Sequence, residues 1–182
     1  MKDLIIGIIV IAAIVGIYFV KTSNYFNRQK EEIEKQRSGI EIALANRRAT
    51  LEKLNQTVNG VIGQESKIYL GVAQIRAGSN LNELSQVESE QRNALDNIRI
   101  IAEQYPELKS NTNFLQLQES INDIENTIQA TRRLYNNEVS QYNGKIKSIP
   151  SCFVASIMNV TAEEYFTATE TEKQDVTLSF NA

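Results

Sequence analysis

Apolar side chains recur at alternating steps of four and three residues along most of this sequence, and this spacing constrains the fold more than any other feature. Such a repeat places the apolar side chains on one face of an α-helix. Three stripes of this kind run over 33–75, 81–105 and 114–149. Because long apolar stripes must be buried against each other, the spacing predicts an all-α fold, an antiparallel up-and-down bundle of three long helices and a short fourth.

Capping and proline signals mark the ends of the predicted helices. Asparagine followed three residues later by an acidic or amide residue is typical of a capping box. The two candidate boxes are Asn80–Glu83 and Asn113–Gln116. Pro106 and Pro150 are expected to close the second and third helices, because the residue before a proline disfavours helical angles. The apolar segment SCFVASIMNV after Pro150 predicts the short fourth helix.

An uncharged apolar run, LIIGIIVIAAIVGIYFV, extends from Leu4 to Val20 near the N-terminus. Its length is at the lower limit for a helix that crosses a bilayer. No small-residue cleavage site follows it, which favours a retained membrane helix over a cleaved signal peptide. We therefore predict a transmembrane segment over 1–21 that runs into the first long helix, a helical body with a membrane-proximal stalk over 22–168, and a tail over 169–182.

The basic residues around the apolar run favour one orientation of a single-pass protein in the cell membrane. Lys2 is the basic residue before the run. The basic residues that follow it closely are Lys21, Arg28, Lys30, Lys35 and Arg37. The positive-inside rule then favours an N-terminus outside and a cytoplasmic body. Within the run, Ala12 and Gly16 form a small-xxx-small pair through which two spans could pack closely.

Composition excludes several classes of site chemistry. The sequence has no histidine and one cysteine, Cys152. Intrachain disulfides, cysteine–histidine metal cages and Ser-His or Cys-His couples are therefore excluded. The net charge of −3 gives no basic footprint for nucleic acid. No acidic pair is placed with a nucleophile or a phosphate loop, so we predict a protein without catalysis, cofactor, metal ion or nucleic-acid partner.

A tyrosine–asparagine pair occurs twice on the third stripe. Tyr135–Asn136 and Tyr142–Asn143 are seven residues apart, about two helical turns, so both tyrosines share one helix face. A buried tyrosine needs a partner for its hydroxyl group. We interpret the four residues as polar groups that fix the alignment of neighbouring helices. The alternative is a small-molecule pocket lined by the same groups.

Charged residues also occupy stripe positions, where an unpaired charge would be costly. These residues are Arg47, Glu65, Glu125 and Arg132. We hypothesise that opposite charges meet between the first and third helices, for example Arg47 with Glu125. The alternative is that their charged ends lie at the edge of the stripe, in water.

The region of the third stripe resembles the LemA family of bacterial membrane proteins. The pattern that carries the resemblance comprises Glu125, Ile128, Arg132, Tyr135–Asn136, Val139, Tyr142–Asn143, Ile146 and Pro150, preceded by FLQLQ. The first helix also resembles the family, although 51–54 reads LEKL where the family usually has an isoleucine-proline-asparagine step. The resemblance implies one N-terminal span and a helical bundle, and it implies no particular reaction.

These observations favour a membrane-anchored scaffold or interaction protein. Its expected partners are the lipid bilayer and either further copies of the chain or other membrane proteins. Phe153, Ile157 and Met158 are candidates for a partner or membrane contact. The alternative is a membrane-tethered sensing module with a ligand near Tyr135 and Tyr142. A pilin-like subunit would share the apolar start, but the processing junction and an early glutamate are missing.

Overall fold

The computed structural model describes residues 1–62 and 79–167. Within these residues the chain is all-helical, with no strand, as the stripes predict. The helices are α1 (Lys2–Ile62), α2 (Leu81–Gln104), α3 (Pro106–Lys109), α4 (Thr112–Lys147) and α5 (Ser151–Ile157). The end of the first stripe, with Glu65, and the tail over 169–182 lie outside the described residues.

The chain forms two compact units. The first unit combines Met1–Arg37 with Arg133–Tyr165, and the second combines Ser38–Arg132 with Phe166–Ala182. Helices α1 and α4 each contribute one part of their length to each unit.

In the second unit, α4 runs antiparallel to α1. Gly39 lies beside Thr131, and further along α1 Arg47 pairs with Glu125. The core between the helices contains the predicted stripe residues, and α3 adds one leucine to it. Its buried members are Leu51, Leu54, Val58, Leu95, Ile98, Ala102, Leu108, Phe114 and Ile121.

Helix α4 also runs antiparallel to α2. Glu88 near the start of α2 pairs with Arg132, and Arg92 one turn later pairs with Glu125. Helix α4 is therefore antiparallel to both α1 and α2. It follows that α1 and α2 run in the same direction within this unit, a relation that apolar periodicity does not encode.

In the first unit, α1 and α4 pair antiparallel through a series of side-chain contacts. Gln29 donates a hydrogen bond to Glu138. The rings of Phe26 and Tyr142 meet edge to face with centroids 5.8 Å apart. Helix α5 and the residues after it complete the unit, with Val154, Ala155 and Tyr142 among its buried side chains.

One predicted helix start is confirmed and one is wrong. The side chain of Asn80 accepts from the Glu83 backbone N–H, and the Glu83 side chain accepts from the Asn80 backbone N–H, which completes the capping box of α2. Helix α4 begins at Thr112, before the predicted box at Asn113. The Phe114 backbone N–H donates to Asn111 Oδ1 at 3.0 Å, so Asn111 occupies the capping position.

Among the described helices, α1 alone is long and apolar enough to cross a membrane. Its most apolar window has a mean hydropathy of 2.7 and no buried residue. Residues 1–17 are all exposed. By length and composition, this part of α1 is a candidate membrane span.

Candidate functional site

Five charged side chains of the second unit form a continuous network that links α1, α2 and α4. Arg132 Nη1 lies 2.9 Å from Glu88 Oε1, which also lies 3.3 Å from Arg92 Nη2. Arg92 Nη2 lies 3.5 Å from Glu125 Oε1, and Glu125 Oε2 lies 3.1 Å from Arg47 Nη2. The charges alternate in sign along the network, so each arginine has a carboxylate beside it.

Arg47 is the most deeply buried member of this network, with its side chain 1 % exposed. Burial lowers the pKa of its guanidinium, because the charged form is separated from water, and the negative charge of Glu125 opposes this effect. Among residues 1–62 and 79–167, its Nε and Nη1 atoms have no hydrogen-bond partner. The Glu125 carboxylate therefore accepts from only part of the guanidinium's hydrogen-bond donors.

A cavity of about 220 Å³ adjoins the network. It is lined by Arg47, Arg92, Leu95, Asp96, Arg99, Ile121, Asn122 and Glu125. Three guanidinium groups and an amide face two carboxylates in this lining. Guanidinium groups bind carboxylate and phosphate oxygens through paired N–H donors, so the lining can accept a small anion.

Arg132 has a second contact at the end of the network. Its guanidinium carbon lies 4.7 Å from the ring centroid of Phe166, a cation–π distance. Arg132 therefore holds both the Glu88 carboxylate of α2 and the buried Phe166 ring that follows α5. The sequence places at Arg132 a stripe charge that needs compensation, and these two contacts compensate it.

The two tyrosine–asparagine pairs lie in the first unit, where three of the four residues are buried. Tyr135 donates its hydroxyl hydrogen to the backbone oxygen of Glu164 at 3.0 Å. Asn143 Nδ2 donates to the backbone oxygen of Glu163 at 2.8 Å, and the Glu163 backbone N–H donates to Asn143 Oδ1 at 2.9 Å. The amide thus binds an extended segment after α5, whereas we expected it to bridge to a neighbouring helix.

The electrostatics of the two tyrosines follow from this burial. Burial raises the pKa of Tyr135 to about 12, and the nearby Glu163 carboxylate acts in the same direction. Burial also raises the pKa of Tyr142, again with Glu163 contributing. Both phenols are therefore neutral hydrogen-bonding groups at physiological pH. Asn136 is half-buried on the same helix.

The remaining predicted contact residues lie on exposed surfaces. Phe153 and Ile157 project from α5 with exposed fractions of 65 % and 68 %, and Met158 is half-buried. Ala12 and Gly16 line an open apolar groove along the exposed part of α1. Their roles as partner, membrane or span-packing contacts remain predictions.

Our reading of the sequence missed the α2 half of the charged network. Glu88 and Gln91 lie on the second stripe, and the same rule that selected Arg47 would have selected them. Gln91 Nε2 donates to the backbone oxygen of Leu44 at 3.1 Å, a buried link from α2 to α1. Arg92 lies beside the stripe, and no spacing signal identifies it.

Residues 1–62 and 79–167 contain no group of three histidine, cysteine, aspartate or glutamate residues that could hold a metal ion.

Comparison with known proteins is consistent with this architecture. The model of the LemA family matches residues 36–180, which include the charged network and both tyrosine–asparagine pairs. Protein LemA of Metamycoplasma hominis is 31 % identical over 173 residues, covering 91 % of this chain and 79 % of that protein. The chain therefore belongs to the LemA family.

Proposed function

We propose that this protein is a membrane-anchored helical scaffold that self-associates or binds other membrane proteins and performs no catalysis. The observation that carries the proposal is the continuity of α1, which runs from the apolar segment into the helical body as one helix, Lys2–Ile62. A helix without a break transmits the position of a membrane anchor directly to the body that it enters.

Anchoring is supported by the exposure of the apolar segment. Isoleucine and valine side chains between Leu4 and Val20 are more than half exposed, and the described chain provides nothing to cover them. An apolar surface of this extent is stable in lipid and unfavourable in water. From Ile5 onward, the helical conformation also pairs the backbone N–H groups of the segment with carbonyls four residues earlier, as a bilayer requires.

The use of polar groups inside the body supports a structural role over a catalytic one. Glu88 and Glu125 are paired with arginines, and the Tyr135 hydroxyl group is bound to a backbone oxygen. General acid–base catalysis requires a group that is free to exchange a proton with a substrate. These groups are instead engaged in contacts that hold helices and segments together.

Flotation and mass measurement test the two parts of the proposal. Full-length protein reconstituted with phospholipid vesicles is expected to float with them and to resist alkaline extraction. Ile11→Asp should abolish both properties, whereas Ile42→Asp, on the exposed surface of the body, should leave them unchanged. Cross-linking and native mass spectrometry in mild detergent are expected to show species larger than the monomer. Protein that stays in the aqueous fraction would disprove anchoring, and a monomer at every concentration would disprove self-association.

We also propose that the body lies on the cytoplasmic side, with the N-terminus outside. The basic residues after the apolar segment support this orientation. A Cys152→Ser protein with a new thiol at Leu115→Cys tests it in intact cells. A membrane-impermeant maleimide is expected to leave this thiol unlabelled until the cells are opened, and labelling in intact cells would reverse the orientation.

The cavity beside Arg47 favours a second candidate function, a membrane-tethered module that binds a small anion. The specific observation is the Arg47 guanidinium, 1 % exposed, whose two donor nitrogens Nε and Nη1 have no partner within the described part of the chain. In contrast, the hydroxyl group of Tyr135 is already bound to Glu164 within the first unit. Thermal unfolding with phosphate or acetate at fixed ionic strength tests this candidate: stabilisation that Arg99→Gln removes supports it, and equal midpoints in both salts and in chloride disprove it.

A further inference from the structure

We propose that α5 is a second membrane contact, a short amphipathic helix whose outer face enters the interfacial layer of an anionic bilayer beside α1. The outer face consists of Phe153 and Ile157 of α5 together with Ile149 in the turn that precedes it. The inference rests on the proposed anchoring by α1, and it adds to that function a lipid-binding surface and the chemistry of the lipid. All residues that carry it belong to the first unit.

The antiparallel pairing of α1 with α4 places α5 near the end of the apolar segment. Gln29 of α1 contacts Glu138 of α4, and Tyr25, one turn earlier on α1, contacts Lys145 further along α4. In the second contact, the ammonium nitrogen lies 5.6 Å from the ring centroid. Each step toward the end of α4 is thus a step along α1 toward its apolar run. Helix α4 ends two residues beyond this contact, and α5 begins at Ser151.

The burial of α1 shows how far this packing extends. Thr22 is 4 % exposed, although it lies only two residues after Val20, the last residue of the apolar run. Tyr18 and Phe19 are already half-buried, whereas residues 1–17 are fully on the surface. The folded unit therefore reaches the end of the predicted span.

The chain reverses direction at α5. After this helix, the Glu163 backbone N–H donates to the side chain of Asn143. The next backbone oxygen, that of Glu164, accepts from the hydroxyl of Tyr135, which lies earlier on α4. The segment after α5 thus runs away from the apolar segment of α1. Helix α5 forms the turning point, and its outer face points away from the packed interior of the unit.

Helix α5 has two apolar faces, and the unit covers one of them. Val154 and Ala155 are buried in the unit. Phe153 and Ile157 lie four residues apart on α5 and are 65 % and 68 % exposed, and Ile149, in the turn before α5, is 81 % exposed. Large apolar side chains on the outer face of a helix, at the level of a membrane span, are the feature of helices that lie in the bilayer interface.

Charge at this end of the unit favours anionic lipid as the occupant over a protein surface. Residues 139–162 contain Lys145 and Lys147 and no acidic residue. Residues 4–30 of α1 likewise contain no acidic residue, and their basic residues are Lys21, Arg28 and Lys30. Basic groups beside a bilayer are attracted to anionic headgroups, so apolar and electrostatic contacts act in the same direction here.

A fluorescent probe on α5 tests the inference directly. Full-length protein with Cys152→Ser and Ile157→Cys carries an environment-sensitive nitrobenzoxadiazole label at position 157, and a matched protein carries it at Leu115→Cys, which is 49 % exposed on α4. In vesicles of phosphatidylcholine and phosphatidylglycerol, we expect a shift to shorter wavelength and quenching by brominated lipid at 157 but not at 115. A shift at 157 without lipid quenching would indicate a protein environment and overturn the lipid contact.

The result separates failure of this inference from failure of the proposed anchoring. Protein that floats with vesicles and resists alkaline extraction, but whose label at 157 emits as the label at 115 does, overturns the α5 contact and leaves the α1 anchor intact. Protein that does not float overturns both. In the unlabelled chain, Phe153→Ser with Ile157→Ser should lower protease protection of α5 in vesicles, and Ile100→Ser with Leu115→Ser should not; equal protection in both pairs counts against the contact.

Discussion

Arg47 Nη2 lies 3.1 Å from Glu125 Oε2, and the arginine side chain is 1 % exposed while the glutamate side chain is 25 % exposed. The pair is therefore asymmetric, with a buried cation held by a carboxylate that still reaches solvent. Removing the carboxylate would leave a buried guanidinium without its direct counter-charge. Removing the arginine would leave a carboxylate that water and Arg92 can still stabilise.

Glu125→Ala is expected to lower the free energy of unfolding by about 3 kcal/mol, since a buried charge loses its partner. Arg47→Met with Glu125→Leu, which replaces the pair by apolar side chains, is expected to recover most of that loss. Urea unfolding of the full-length protein in detergent, followed by circular dichroism, measures both. An unchanged midpoint for Glu125→Ala would contradict the burial of the pair.

Glu88→Gln is expected to lower the free energy of unfolding by about 2–3 kcal/mol, because one buried carboxylate accepts charged hydrogen bonds from two arginines. Its side chain is 4 % exposed. Its contact with Arg132 connects α2 to α4, and its contact with Arg92 lies within α2. Glu90→Gln, on the exposed face of α2, is the matched control and should change stability little. Equal denaturation midpoints for the two variants would show that Glu88 is not a structural link.

The apolar stripes predict which face of each helix is buried but not which helix the face contacts. Arg47 and Glu125 could be identified because both interrupt a stripe, and charges on buried faces must be compensated. Their neighbours Glu88 and Arg92 were not paired in advance, because the direction of α2 relative to α1 depends on the connection between them. Spacing within one helix carries no information about that connection.

Asn143→Ala is expected to lower the free energy of unfolding by about 2 kcal/mol and to release the segment after α5. The residue is buried, and its amide makes two hydrogen bonds with the backbone of Glu163, so the substitution leaves a donor and an acceptor unsatisfied. Hydrogen exchange at the Glu163 amide should accelerate. Asn137→Ala, on the exposed face of α4, is the control. The same exchange rate in both proteins would show that Asn143 does not hold the segment after α5.

The contacts of Asn143 and Tyr135 with the segment after α5 also show where apolar periodicity stops being informative. The repeated tyrosine–asparagine pair indicated that polar groups on α4 need partners, and two of those groups have them in Glu163 and Glu164. These partners are backbone atoms of a segment without helical spacing. Its path is fixed by hydrogen bonds to α4 and by the burial of Phe166, and no sequence repeat records that path.

Gly60→Ala is expected to raise the free energy of unfolding by up to about 1 kcal/mol, because alanine restricts the unfolded chain and favours helix. An added methyl group at Gly60 meets no atom within 4 Å. At Gly39, the same group would lie 2.9 Å from Thr131 Cγ2 of α4. Gly39→Ala should therefore be less stable than Gly60→Ala by about 1 kcal/mol or more, and equal denaturation midpoints would contradict this close approach.

The stability of the first unit is expected to fall in alkaline solution because of Tyr135. Its pKa is raised from 10.0 to about 12 in the folded protein, chiefly by burial. The folded state thus holds the phenol proton more tightly than the unfolded chain, so this stabilisation is complete below pH 10 and is lost as the pH rises through 12. By a pH of about 11, the loss should reach about 1.4 kcal/mol. Between these limits, the free energy of unfolding of Tyr135→Phe should fall less steeply with pH than that of the wild type. Tyr165→Phe, at a half-exposed position, should follow the wild type. Parallel curves for the wild type and Tyr135→Phe would refute the prediction.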